Sequence, residues 1–170
     1  MTDSMMSTKP KNIYYTWSPQ TIKRLVAGLR QNGPRRRKRT VVFTNGVFDI
    51  LHYGHVDYLT KARKLGDVLI VGLNSDSSVK KFKAAGRPIQ PEKDRARILA
   101  ALRPVDIVVM FKEETPERLI RAVAPDVLVK GADYKLSEIV GADFVQSYGG
   151  KVRRIKLQPS RSTTAILKRL

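Results

Sequence analysis

Five short apolar runs recur from Thr40 onward: "TVVFTN" (Thr40–Asn45), "DVLIVGLN" (Asp67–Asn74), "VDIVVMF" (Val105–Phe111), "DVLVKG" (Asp126–Gly131) and "KVRRIKL" (Lys151–Leu157). They show little polar alternation, as strands buried on both faces do. The segments between them, "GHVDYLTKARKLG", "PEKDRARILAALR" and "TPERLIRAVA", carry helical periodicity instead. Strand and helix therefore alternate, which predicts an α/β fold: a Rossmann-like, five-stranded parallel sheet with helices on both faces. A leading helix is expected in "SPQTIKRLVAGLRQNG", with Ser18 as N-cap, Pro19 at the first helical position and Gly33 beyond the end. Residues 1–16 read as a flexible tail and residues 17–170 as one domain, for which 170 residues at 42% hydrophobic content suffice.

In open parallel sheets ligands bind beyond the C-terminal ends of the strands. The residues just after the five runs are Asn45–Asp49, Asn74–Asp76, Phe111–Glu113, Lys130–Asp133 and Ser160–Thr164, and nearly every polar cluster of the chain falls there. The first of these leads into "LHYGH", which holds the only two histidines, His52 and His55. A helix expected to start near Gly54 would present free N–H groups and a positive dipole end, a setting that favours phosphate. The histidines add donors, and Gly54 clears the backbone for a bulky anion. Two other readings stay open: packing or surface histidines, and a metal pair completed by Asp49 or Asp57. The metal pair lacks the usual i, i+4 spacing and any third histidine or cysteine.

Composition narrows the rest. Without cysteine there is neither a disulfide framework nor a thiolate metal site, and a cytoplasmic setting fits. No run of residues is long and apolar enough to span a bilayer, so no membrane partner is expected. The net charge of +18 attracts polyanions of any kind. The basic run Arg35–Arg39 reads as a solvated connector or as a contact to RNA, membrane or a partner. It lacks the interleaved aromatic rings of a nucleic-acid platform. No nucleic-acid partner is expected, although a basic nucleic-acid-binding module remains a distinct alternative.

"HYGH" after "TNGVFDIL" resembles the H-x-G-H signature of the nucleotidylyltransferase superfamily, and "RSTTAIL" (Arg161–Leu167) resembles its second signature. Between them, "LNSDSSVKKFK", "GRPIQPEKDR" and "VLVKGADY" are most similar to the adenylyltransferases that make ADP-activated heptose from D-glycero-β-D-manno-heptose 1-phosphate. The resemblance spans about residues 22–169. It implies transfer of AMP from ATP to that sugar 1-phosphate for lipopolysaccharide core synthesis, with Mg²⁺ carried on the ATP phosphates and no all-protein metal site. It also implies a free-standing enzyme served by a separate kinase, and a homo-oligomer, dimer or higher. The alternative within the same skeleton is cytidylyl transfer to glycerol 3-phosphate or another polyol or sugar phosphate.

Carried over by motif, His52 and His55 would donate to the α-phosphate, with Lys80 or Lys83 as the catalytic cation and Lys81 solvated. Thr44, Asn45, Gly46, Phe48 and Gly54 would line the nucleotide loop, with Lys130 and Gly131 at the nucleotide. Ser162, Thr163 and Thr164 would hold the β- and γ-phosphates. Asp49, Arg87, Arg95 and Asp133 would meet the acceptor. One departure matters: Ser160 and Leu157 stand where relatives carry a glycine and, in the cytidylyltransferases, an arginine. This suggests Arg161 or Lys156 as a substitute cation.

Overall fold

A computed structural model describes residues 12–31 and 37–158 together with Thr163 and Ile166. Six parallel strands form one sheet: β1 (Ile13–Tyr14), β2 (Val41–Gly46), β3 (Val68–Asn74), β4 (Ile107–Phe111), β5 (Val127–Gly131) and β6 (Lys151–Ile155). Their order across the sheet is β1-β4-β3-β2-β5-β6. The helices are α1 (Pro19–Gln31), α2 (Tyr53–Arg63), α3 (Asp76–Val79), α4 (Glu92–Ala101), α5 (Glu117–Val123) and α6 (Ala142–Ser147). The expected α/β parallel sheet is present, and the five expected strands are joined by a sixth.

That sixth strand, β1, comes from the stretch expected to be a flexible tail, which is the correction the structure makes. It pairs only as Ile13↔Val108 and Tyr14↔Val109, along the edge of β4. The Trp17 indole N–H then donates to the Met110 carbonyl at 2.7 Å, so a side chain takes over where the strand ends. Two residues are too few to show a strand period; the edge of β4 supplies the order.

Both faces of the sheet are covered because strand residues alternate between two apolar cores. Val41, Phe43, Ile70 and Val109 pack with Ile22 and Val26 of α1, Ile120 of α5 and Val145 of α6. Val42, Leu69, Val71 and Val108 pack with Leu59 and Ala62 of α2 and with Ala96 and Leu99 of α4. The start of α1 is as expected: Pro19 is its first residue, and Ser18 Oγ accepts the Thr21 N–H at 3.1 Å. Gly33 lies outside the described residues.

At the N-terminal end of the sheet, one aspartate stitches each of three neighbouring pairs, β2–β3, β3–β4 and β2–β5. Asp67 accepts the Thr40 N–H, Asp106 the Leu69 N–H and Asp126 the Val41 N–H, at 2.8, 2.7 and 2.7 Å. Their own N–H groups donate back to the carbonyls of the same three residues. The stitch matters most between β2 and β5, whose register holds only Val42↔Val127 and Phe43↔Leu128. Beyond Phe43 and Leu128 these two strands part, and strand order reverses at this junction. The sheet is thus closed at one end and split at the other, where ligand crevices form. Asp126→Ala, which leaves the Val41 N–H without its acceptor, is expected to cost about 1–3 kcal/mol, measured as a lowered urea midpoint with an unchanged m-value.

Candidate active site

The split opens into a cleft of about 540 Å³ whose lining includes Asn45, His52, His55, Lys83, Arg87 and Lys130. His52 is the extended N-cap residue of α2, with φ −142° and ψ 170°, and its side chain caps nothing. The His52 carbonyl accepts the His55 N–H at 2.9 Å, so one helical turn separates the two rings. They stack with centroids 3.9 Å apart and planes 20° from parallel, while the Phe48 ring meets His55 edge-on at 5.2 Å. The Nδ1 atoms of both histidines are buried without a hydrogen-bond partner among the described residues. Burial holds the His52 pKa below its ordinary value. Burial and then the neighbouring His52 push His55 down to about 4. Both rings are therefore neutral at pH 7 and able to donate one N–H each to an anion in the cleft.

The loop before them is held in a costly shape. Phe48 adopts φ 47°, a left-handed conformation rare for a bulky residue and worth about 1–3 kcal/mol of strain. Its neighbours are pinned on both sides. Asp49, expected at the acceptor, is 2% exposed and its oxygens are taken: Oδ2 by Arg87 Nε at 2.6 Å, Oδ1 by the N–H groups of Ile89 and Gln90 at 2.8 and 2.9 Å. Burial opposes its ionisation, but the Gln90 and Ile89 N–H groups and Arg87 outweigh burial and lower its pKa. Asp49 ties the loop of "GRPIQ" to the loop that leads into the two histidines.

Arg95 departs further from its expected place at the acceptor. It is fully buried and donates to the Gln90 carbonyl at 3.0 Å, the Val47 carbonyl at 2.6 Å and Asp76 Oδ1 at 2.6 Å. Three loops that follow or precede different strands and helices are fastened by one guanidinium, so Arg95 is an internal clamp and does not line the cleft.

The cleft separates the remaining candidates. Gly46, Phe48, Gly54, Gly131, Asp133 and Thr163 line it alongside the residues already named. Lys83 lines it and Lys80 does not, although both are exposed. Thr44, expected on the loop, is instead buried, with its hydroxyl 2.8 Å from the Tyr58 hydroxyl. Arg161, Ser162 and Thr164 lie outside the described residues. Sequence reading missed Phe82, Glu114, Thr115 and Tyr134, all of which line the cleft, as does Leu157. Of these, Glu114 and Thr115 were findable, since they directly follow the cluster at the end of β4. Among the described residues no group of three or more His, Cys, Asp or Glu is placed to hold a metal ion, and no helix is long and apolar enough to cross a membrane.

Residues 43–169 match the cytidylyltransferase-like family. The chain is 57% identical over 136 residues to the bifunctional protein HldE of Syntrophotalea carbinolica, a match covering 80% of this chain and 28% of that one. It is 54% identical to the protein of the same name from Campylobacter concisus, over 89% of this chain and 30% of that one. The chain thus spans under a third of the length of these curated relatives. The crystal structure of the lipopolysaccharide core biosynthesis protein from Thermoplasma volcanium GSS1 superposes with a TM-score of 0.58 at 30% identity, covering 71% of this chain and 97% of that one.

Two measurements check the site's construction. Arg95→Ala strands two buried carbonyls and Asp76, and is expected to lower unfolding free energy by about 3 kcal/mol, with Arg95→Lys restoring only part, as read by urea denaturation. The histidine shift has a definite sign. Between the ordinary value of 6.5 and about 4 the unfolded chain binds a proton that folded His55 refuses. Stability therefore falls as pH drops through that window and levels off below it. Going from about pH 7.5 to about pH 4.5, the wild type should lose on the order of 2 kcal/mol more than His55→Gln.

Proposed function

We propose, from the premise that this chain belongs to the cytidylyltransferase-like family, that it is a nucleotidyltransferase that moves AMP from ATP to a sugar 1-phosphate. The acceptor we propose is D-glycero-β-D-manno-heptose 1-phosphate, giving ADP-heptose and pyrophosphate for lipopolysaccharide core synthesis. The observation that carries this reading is the stacked pair of neutral histidines at a helix N-terminus, facing a cleft that also holds Lys83 and Arg87. The names of the HldE relatives and of the Thermoplasma protein, whose name places it in lipopolysaccharide core biosynthesis, support the acceptor class.

The chemistry asks for little covalent help. An acceptor phosphate oxygen attacks the α-phosphorus of ATP in line, a new P–O bond forms, and the bond to the bridging oxygen breaks with its electrons leaving on pyrophosphate. The nucleophile is already ionised near neutral pH, its second pKa being about 6, so no general base is needed. Catalysis comes from placing donors where charge builds up. His52 and His55 donate to the α-phosphate and bridging oxygen without adding a cation that would bind the ground state indiscriminately. Lys83 supplies positive charge beside them, Arg87 reaches the acceptor from its Asp49 anchor, and Thr163 with Arg161, Ser162 and Thr164 holds the outer phosphates. Mg²⁺ would arrive on the nucleotide's phosphates, and the protein works as a homo-oligomer.

The reading is tested by pyrophosphate release with ATP or CTP against heptose 1-phosphate and glycerol 3-phosphate. ATP with heptose 1-phosphate is expected to be the productive pair; release only with CTP and glycerol 3-phosphate would replace it with cytidylyl transfer. His52→Ala and His55→Ala should each lower kcat by roughly 10² or more while leaving the far-UV circular dichroism unchanged. Near-normal turnover would remove that histidine from the chemistry.

A further inference from the structure

β2 keeps its pairing with β3 as far as Gly46↔Leu73, and β5 keeps its pairing with β6 as far as Gly131↔Ile155. Between β2 and β5 the last pair is Phe43↔Leu128. Two residues past that pair, each strand sets one polar residue on the face that carries Phe43 and Leu128. These are Asn45 and Lys130, and both line the cleft. The face is fixed independently, because a Cβ added at Gly72 would meet the Phe43 ring at 2.8 Å and Asn45 Cβ at 3.1 Å. Thr44, one residue earlier, turns to Tyr58 on the opposite face, the side of α2 and its histidines.

Neither side chain makes a hydrogen bond among the described residues. Asn45 Oδ1 is buried with no hydrogen-bond partner among the described residues. Lys130 is 9% exposed, and its ammonium stands 5.2 Å from the centre of the Tyr134 ring without a hydrogen bond or ion pair among the described residues. Burial pushes its pKa down to about 8, with Asp133 acting in the other direction. A buried acceptor without a partner and a cation held only against the Tyr134 ring line the same cleft, one from each strand of the split. Buried polar groups are ordinarily paired, and exceptions call for an explanation.

We propose that Asn45 and Lys130 form a specificity-determining subsite for a sugar or polyol hydroxyl, on the opposite face of the split sheet from the histidine pair. This changes the nucleotide or phosphate contact expected of them to a hydroxyl contact, and it rests on the nucleotidyl-transfer reading above. A hydroxyl donates to Asn45 Oδ1 and accepts from Lys130 at the same time. Phosphate and carboxylate at neutral pH offer acceptors only and would set negative charge against Oδ1. The Tyr134 ring beside Lys130 supplies a flat apolar wall for the carbon face of a sugar. The hydroxyl comes from one of two sources, the ribose of the nucleotide or the sugar of the acceptor, and the experiment separates them.

KM values for ATP, 3′-deoxy-ATP and heptose 1-phosphate are measured one at a time by pyrophosphate release in the wild type, Lys130→Met and Asn45→Leu. The expected result is a rise of about tenfold or more in one KM, with kcat changed by less than about threefold. If the ribose is bound, the wild type prefers ATP to 3′-deoxy-ATP and both variants lose that preference. If the acceptor is bound, the two nucleotides stay equivalent and the acceptor KM rises. KM values for both substrates within about twofold of wild type, or a fall in kcat with neither KM moved, would overturn the subsite. Melting curves control for folding: Lys130→Met, which keeps the apolar stem and loses only the ammonium and its contact to the Tyr134 ring, should melt close to the wild type. If the wild type releases no pyrophosphate with any pair, the proposed reaction fails instead. Calorimetric titration of wild type and Lys130→Met with ATP and with heptose 1-phosphate then decides the subsite alone, unchanged affinity for both overturning it.

Discussion

The parting of β2 from β5 beyond Phe43 and Leu128 is the constraint on which the site depends. Strand order runs outward from β2 in both directions, so the helix that follows β2 and the chain that follows β5 leave on different courses and cannot fill the gap between them. Asp126, at the other end, keeps the two strands together where the core needs them. Closure at one end and separation at the other turn a flat sheet edge into a cleft reached from both faces. The histidines stand on the α2 side of it and the Asn45–Lys130 pair on the α5 and α6 side.

A cleft of this kind needs walls that do not drift, and here they are fixed by buried charge. Arg95 fastens the loop after β2, the turn after β3 and the approach to α4, while Asp49 fastens the "GRPIQ" loop from inside. Breaking such buried contacts costs far more than breaking surface ion pairs, because an uncompensated charge or carbonyl is left behind. That is how a left-handed Phe48 persists beside His55. Burial lowers the pKa of both rings and holds His55 neutral across the neutral range, so the site presents oriented N–H donors.

Much of this was readable from residue order. Alternating apolar runs and amphipathic segments determine an α/β sheet almost by themselves, the rule that ligands bind past strand ends brings His52, His55, Lys130 and Asp133 to one cleft, and the family resemblance adds Lys83. What escaped was non-local. Arg95 sits on a short helix with surface-like neighbours, and its burial depends on three loops meeting far from it in sequence. Asp49 looked free because its partners lie about forty residues on, in the "GRPIQ" loop. Thr44 and Asn45 are adjacent and equally polar, and only the pleat decides that one meets Tyr58 while the other faces the gap. Strand β1 is ordered by β4, so no period of its own could announce it.

On the function proposed above, the stacked histidines receive the α-phosphate of a nucleotide lying in the split between β2 and β5. A crystal structure with a non-hydrolysable ATP analogue tests it most directly. The account predicts α-phosphate oxygens within hydrogen-bond distance of both His52 and His55, with the nucleotide lying in the cleft between the ends of β2 and β5. Phosphates bound elsewhere, or histidines still stacked on each other with no contact to the nucleotide, would contradict it.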